Sequence, residues 1–298
     1  MNTATLIRPE QLAAVRSLSL RARLIVEGFF AGLHRSPYHG FSVEFREFRP
    51  YQPGESTRRI DWRTFARTDK AVVRLFEDET NLNALILFDK SASMLFASRP
   101  SLMTKLDYGK TLAASLAWVL IRQRDATGLA AFDDALRVFL PPRSTNVQLK
   151  AIMSHLDRLQ PSGATRCGAA LSRLASTLRK RGLCIVISDL FDDPNGIIRG
   201  LRHLRFKKQD VIVLRIADPM ERHFSGASSM RLRDMETNEE VFLDATVAAR
   251  FFRSGFLEHK NAIERACRDL RIDYEDITIT EPFQKALLRV LDKRRRMF

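Results

Sequence analysis

Leu82-Asn83-Ala84-Leu85-Ile86-Leu87-Phe88-Asp89-Lys90-Ser91-Ala92-Ser93 is the stretch on which the fold turns. Its first seven residues are uncharged and six are apolar, a length and composition that favour a strand covered on both faces. The run stops at Asp89, and from there side-chain oxygens recur at alternate positions, on Asp89, Ser91 and Ser93. An apolar strand ending in oxygen donors is the pattern of an open α/β sheet, where ligands bind beyond the carboxyl ends of strands.

Working outward, the same alternation of apolar strand and helix continues to the C-terminus. Leu106–Gln123 reads as a helix, Gly128–Phe132 and Leu136–Leu140 as strands joined at Asp133-Asp134, and Val147–Leu159 as a helix. A helix from Cys167 to Lys180 precedes the strand Leu183–Ser188, and Ile197–Phe206 precedes the strand Asp210–Ile216. A hairpin is expected around 229–244, then a helix over Ala245–Leu270, a strand over Tyr274–Thr280 and a closing helix over Pro282–Arg296. This pattern predicts a doubly wound, mostly parallel sheet with helices on both faces, occupying residues 80–298. Residues 1–79 form an N-terminal extension: an amphipathic helix over 9–28, then an Arg/aromatic-rich segment over 41–79 expected to pack on the main domain.

Three oxygen-bearing loops converge in this topology. Asp89, Ser91 and Ser93 follow the first strand, Thr165 precedes the Cys167 helix, and Asp189 follows the strand Leu183–Ser188. Two carboxylates and three hydroxyls make an all-oxygen set that suits a hard divalent cation, Mg2+ first and Mn2+ or Ca2+ as alternatives, and not zinc. The competing reading is helix capping, with Asp89 or Ser91 accepting free backbone N–H groups.

The motif resembles the metal-ion-dependent adhesion site of von Willebrand factor type A domains. Asp89, Ser91 and Ser93 match its Asp-x-Ser-x-Ser loop, Thr165 its threonine and Asp189 its second aspartate; the third loop reads Ser188-Asp189-Leu190 where Thr-Asp-Gly is common. Upstream, Glu44-Phe45-Arg46, Arg49-Pro50-Tyr51, Pro53-Gly54-Glu55 and Arg59-Ile60-Asp61-Trp62-Arg63-Thr64-Phe65-Ala66-Arg67 resemble the bacterial family called domain of unknown function 58. The likeness runs from about Gly40 to the C-terminus. It implies a non-enzymatic, metal-dependent protein-interaction module. It also implies a MoxR-type AAA+ ATPase, or a client offering an acidic residue, as partner.

Other signals exclude or compete. Three scattered cysteines, Cys167, Cys184 and Cys267, match no metal spacing and suit a reducing compartment. No apolar run reaches the ~20 residues of a membrane span and no secretory leader is visible, so the expected location is the cytoplasm. Gly109-Lys110-Thr111 lacks the upstream glycine of a phosphate loop and reads as helix interior. The net charge of +14 leaves a nucleic-acid adaptor as the alternative function. A Mg2+-dependent phosphohydrolase with Asp89 as nucleophile is weaker, because the second acid expected two residues later is Ser91.

Overall fold

The computed structural model describes residues 7–34, 47–52, 62–75, 82–163, 165–222, 229–233 and 240–297. Its centre is a six-stranded sheet. In chain order the strands are β3 (Asn83–Asp89), β4 (Ala126–Phe132), β5 (Leu136–Arg143), β6 (Leu183–Ser188), β7 (Asp210–Ala217) and β10 (Asp273–Thr278). They lie in the order β10-β7-β6-β3-β4-β5, all parallel except β5, which returns antiparallel along β4. The sheet is therefore the mostly parallel, doubly wound arrangement that the alternation predicts, with strand boundaries displaced by no more than three residues.

Both faces are covered because successive side chains of each strand point to opposite sides. From β3, Leu85 and Leu87 enter a core with Leu171 and Leu174 of α6 (Cys167–Thr177), Leu201 and Leu204 of α7 (Pro194–Phe206) and Ile263 of α9 (Ala245–Asp269). On the other side Phe88 meets α4 (Lys105–Arg122), where a Cβ on Gly109 would lie 3.0 Å from its ring. There Tyr108 stacks on Phe283 of α10 (Phe283–Met297) at 4.3 Å between centroids. Helix α5 (Asn146–Arg158) is capped by Thr145, whose hydroxyl accepts the Gln148 N–H. The packing of α6 on α7 depends on glycine: a Cβ at Gly168 would come within 2.4 Å of the Gly196 carbonyl carbon.

The amphipathic stretch at 9–28 differs from expectation. It is two helices, α1 (Pro9–Ala13) and α2 (Leu18–His34). The break falls at Ser17, whose hydroxyl accepts the Leu20 N–H and so starts a new helix. Residues 1–32 group with 82–298 into one compact unit, and α2 stacks Phe30 against Arg122 at 4.4 Å.

Residues 33–81 form a second compact unit. Its described parts are α3 (Trp62–Thr68) and the antiparallel pair β1 (Glu47–Pro50) and β2 (Val72–Leu75), with Glu47 opposite Leu75. The packing expected of segment 41–79 involves residues 41–46, 53–61 and 76–79, which lie outside the described residues. The expected hairpin is present as β8 (Ser229–Arg233) and β9 (Glu240–Asp244), its turn outside the described residues; the short α8 (Pro219–Arg222) precedes it. Among the described residues no helix is long and apolar enough to cross a membrane.

Candidate metal site

The order in which strands are added reverses between the parallel neighbours β3 and β6: the β3 loop leads towards β4 and the β6 loop towards β7. Crevices form at such switch points. Asp89 ends β3 and Asp189 follows β6, so the two carboxylates flank this crevice, both fully buried. Asp89 Oδ1 accepts the Ser91 N–H at 2.9 Å, and its Oδ2 accepts the Ser188 hydroxyl at 2.5 Å. Burial and the neighbouring Asp189 carboxylate push the Asp89 carboxyl up to about 7.

The hydroxyls continue from Asp89 as a chain. Ser91 Oγ and Ser93 Oγ share a hydrogen bond at 3.0 Å, and Ser93 Oγ lies 3.4 Å from Thr165 Oγ1. Ser91 opens the 3₁₀ turn Ala92–Leu95, but its hydroxyl caps no backbone N–H there. Helix α4 is capped instead by Thr104, which accepts the Asp107 N–H. Capping therefore accounts for one oxygen of Asp89 and not for the Ser91 hydroxyl.

Thr165 is held in place by its loop. The Ser162 N–H donates to Lys90 O at 3.1 Å and the Ala92 N–H to Gly163 O at 3.2 Å, joining the first and second loops through their backbones. Gly163 has φ +72, a left-handed turn conformation that glycine adopts without strain. Lys90, almost buried, clamps the same loop: its ammonium reaches Ser162 Oγ at 2.6 Å, Gln160 O at 3.2 Å and Asp133 Oδ2 at 2.7 Å. Burial opposes ionisation of Asp133, but hydrogen bonds from Lys90 and Arg137 hold its carboxyl below the usual range.

The structure thus brings Asp89, Ser91, Ser93 and Thr165 together by direct contact and sets Asp189 across the crevice. Sequence reasoning missed four supporting groups, Ser188, Lys105, Glu221 and Phe191. Ser188 locks Asp89 and also accepts the Leu190 N–H at 2.9 Å. Lys105, 1% exposed at its side chain, places its ammonium 2.7 Å from Asp189 Oδ2 and 2.7 Å from Glu221 Oε1. Phe191 lies 4.8 Å from that ammonium. Burial alone would lower the Lys105 pKa; Asp189 and Glu221 reverse that and hold it above its ordinary value. Glu221 itself is raised by burial, against the pull of Lys105. Of the charged groups in this buried cluster, Asp89 and Asp189 alone stood in a sequence pattern, because a lysine at a helix start carries no mark of burial.

The donors fit a hard cation. Every candidate ligand atom is oxygen, and three acidic groups, Asp89, Asp189 and Glu221, share the buried cluster with the single Lys105 ammonium, so a divalent ion would favour the ionised form of a carboxyl that burial disfavours. Among the described residues no three His, Cys, Asp or Glu side chains converge as a metal-ligand group; the set seen here has two carboxylates and relies on hydroxyls. Gly109-Lys110-Thr111 lies buried inside α4, with the Lys110 ammonium donating to Leu159 O at 2.6 Å. Cys184 is buried in β6.

Comparison with known proteins gives relatives at three levels. A family model described as protein of unknown function DUF58 matches residues 47–266. An uncharacterized protein of Mycobacterium tuberculosis is 25% identical over 293 residues, covering 97% of this chain and 91% of the relative. Among solved structures, an aerotolerance-related membrane protein from Bacteroides fragilis, carrying multiple mutations to serine, superposes with a TM-score of 0.50. It shares 17% identity and covers 71% of this chain and 99% of that one. The conserved hypothetical protein BatB from Bacteroides thetaiotaomicron gives 0.48, with 17% identity, 72% of this chain and 99% of that one.

Proposed function

The chain belongs to the DUF58 family and has a von Willebrand factor type A-like fold, and from that premise we propose that it is a metal-dependent protein-interaction module and not an enzyme. The observation that supports this most is the run of side-chain oxygens from Asp89 through Ser91 and Ser93 to Thr165, with Asp189 across the crevice. In this reading Asp89, Ser91, Ser93, Thr165 and Asp189 hold one Mg2+, directly or through water. A bound Mg2+ supplies a Lewis-acidic position for an incoming carboxylate. The three neutral hydroxyls leave the cation part of its charge, so an acidic side chain of a partner completes its shell.

The protein's own groups prepare that edge. Ser188 and the Ser91 amide orient Asp89, Lys105 orients Asp189, and Lys90 holds the loop of Thr165. The family resemblance points to a MoxR-type AAA+ ATPase, or a client it acts on, as the protein offering the carboxylate. A cytoplasmic location accords with that partner.

Calorimetric titration with Mg2+ tests the site. One ion per chain is expected, with binding lost in Asp89→Ala and weakened at least tenfold in Thr165→Ala. Binding unchanged in folded Asp89→Ala would overturn the metal assignment. A pull-down with the ATPase as bait tests the partner: capture is expected with Mg2+ and not with EDTA, and capture that survives both EDTA and Asp89→Ala would remove the metal edge as the contact.

A further inference from the structure

The opposite edge of the sheet carries a cluster that the metal-dependent function does not use. The C-terminal parts of α6 and α7 with the turns that follow them, residues 173–182 and 199–208, contain nine Lys and Arg and no Asp or Glu. The turns entering β6, β7 and β10 lie side by side, because those strands are neighbours. The turns are tied together by one backbone and two side-chain bonds: the Asp210 N–H donates to Gly182 O at 2.9 Å, Gln209 Nε2 to Lys180 O at 2.7 Å and Arg205 Nε to Leu270 O at 3.2 Å.

Asp210 takes up Arg181 and Arg205, at 3.2 and 2.9 Å. Arg179, Lys180, Lys207, Lys208, Arg268 and Arg271 remain, all exposed and none paired with a carboxylate among the described residues. Asp269 is the exposed acid of these turns, while Asp273 is held by Lys293 at 3.1 Å. The acidic run Glu77-Asp78-Glu79, which precedes the next strand β3, lies outside the described residues.

Two further features mark the patch. Phe206, the last residue of α7, is 80% exposed in the midst of these cations. Lys208 and Arg271 stand in the left-handed conformation, φ 58 and 53, one position beyond their helix caps, where glycine is the ordinary residue. Both turns thus carry a cation where glycine would be less strained.

We propose that this edge docks on an anionic bilayer surface, the cations meeting acidic headgroups and the Phe206 ring entering the interfacial layer. The patch is made of turn tips with long flexible side chains around one protruding ring, which suits a laterally mobile array of charges. A single-stranded nucleic acid calls for several stacking rings along a groove, and among the described residues of this edge Phe206 is the one exposed aromatic. Docking here would leave the Asp89 edge, about 20 Å away along the strands, facing solvent.

The test is sedimentation of the full chain with phosphatidylcholine vesicles, with and without about 30% phosphatidylglycerol, at about 0.1 M salt. Binding to the anionic vesicles alone is expected, fading as salt rises. Each cation near such a surface is worth about fivefold in binding, so Lys207→Gln with Lys208→Gln should weaken it about 25-fold. Phe206→Ser should weaken it roughly tenfold. Both variants should keep the wild-type melting temperature and Mg2+ titration, and Asp89→Ala should still bind vesicles, so that this inference and the metal reading fail separately. Equal binding to neutral and anionic vesicles, undiminished binding in both folded variants, or tighter binding of a mixed-sequence oligonucleotide at the same salt would overturn the proposal.

Discussion

Replacing Lys105 with methionine isolates the charge that orients Asp189. Methionine keeps an unbranched stem against Phe96 and Phe191 and removes the ammonium that lies over both rings. What remains is Asp189, fully buried, and Glu221, almost so, each having lost a 2.7 Å charge-assisted hydrogen bond. Removing one partner of a buried ion pair costs about 3–5 kcal/mol, because the other charge stays behind without compensation. With a urea slope of about 3 kcal/mol/M for a chain of this size, the midpoint should fall by roughly 1–1.7 M. The loss should be smaller in Lys105→Met/Glu221→Gln than the sum of the single variants, since the double change removes one of the stranded charges. Added Mg2+ should restore more stability to Lys105→Met than it adds to the wild type, because the cation then takes over the missing positive charge. A loss below about 1 kcal/mol, or strict additivity in the double variant, would refute the reasoning that Lys105 holds a buried charge cluster together.

Two further outcomes follow from other parts of the fold. Asp276 receives Arg215 at 2.9 Å, Arg222 at 3.1 Å and Lys260 at 3.1 Å. Burial raises its pKa, but these cations outweigh it and hold the carboxyl below its ordinary value. Its stabilisation is therefore present above the unfolded carboxylate range and lost as pH falls through the lowered native value. Asp276→Asn should cost about 1–3 kcal/mol at pH 7 and flatten the stability–pH curve below about pH 4; an unaltered acid limb in urea titrations would count against it. Gly168→Ala should lower the melting temperature by the equivalent of about 1–3 kcal/mol, because a Cβ has no room against Gly196. A variant as stable as the parent in calorimetry would show that α6 and α7 separate freely.

The order and type of the sheet elements were legible from residue pattern alone. Uninterrupted apolar runs such as Leu183–Ile187 occur in strands buried on both faces, and their spacing by amphipathic helices admits few topologies. Asp89, Ser91, Ser93, Thr165 and Asp189 were legible too, because oxygen side chains at strand ends form a local pattern. The division of the N-terminal helix at Ser17 was not, since a single hydroxyl capping Leu20 competes with a continuing apolar stripe.

Three things were decided only by tertiary structure. Lys105 and Glu221 are 116 residues apart and look like ordinary surface charges until the α4 and α8 starts are brought to one crevice. Ser188 gains its role from a partner 99 residues away. The cations at 179–180, 207–208 and 268–271 become one patch only when β6, β7 and β10 pair. Local pattern records which face a residue needs covered, since that need is set by its own solvation and its neighbours along the chain. Which distant charge compensates it depends on distances that exist only after the sheet has formed, and Coulombic interaction between buried groups depends on those distances and on the water excluded between them.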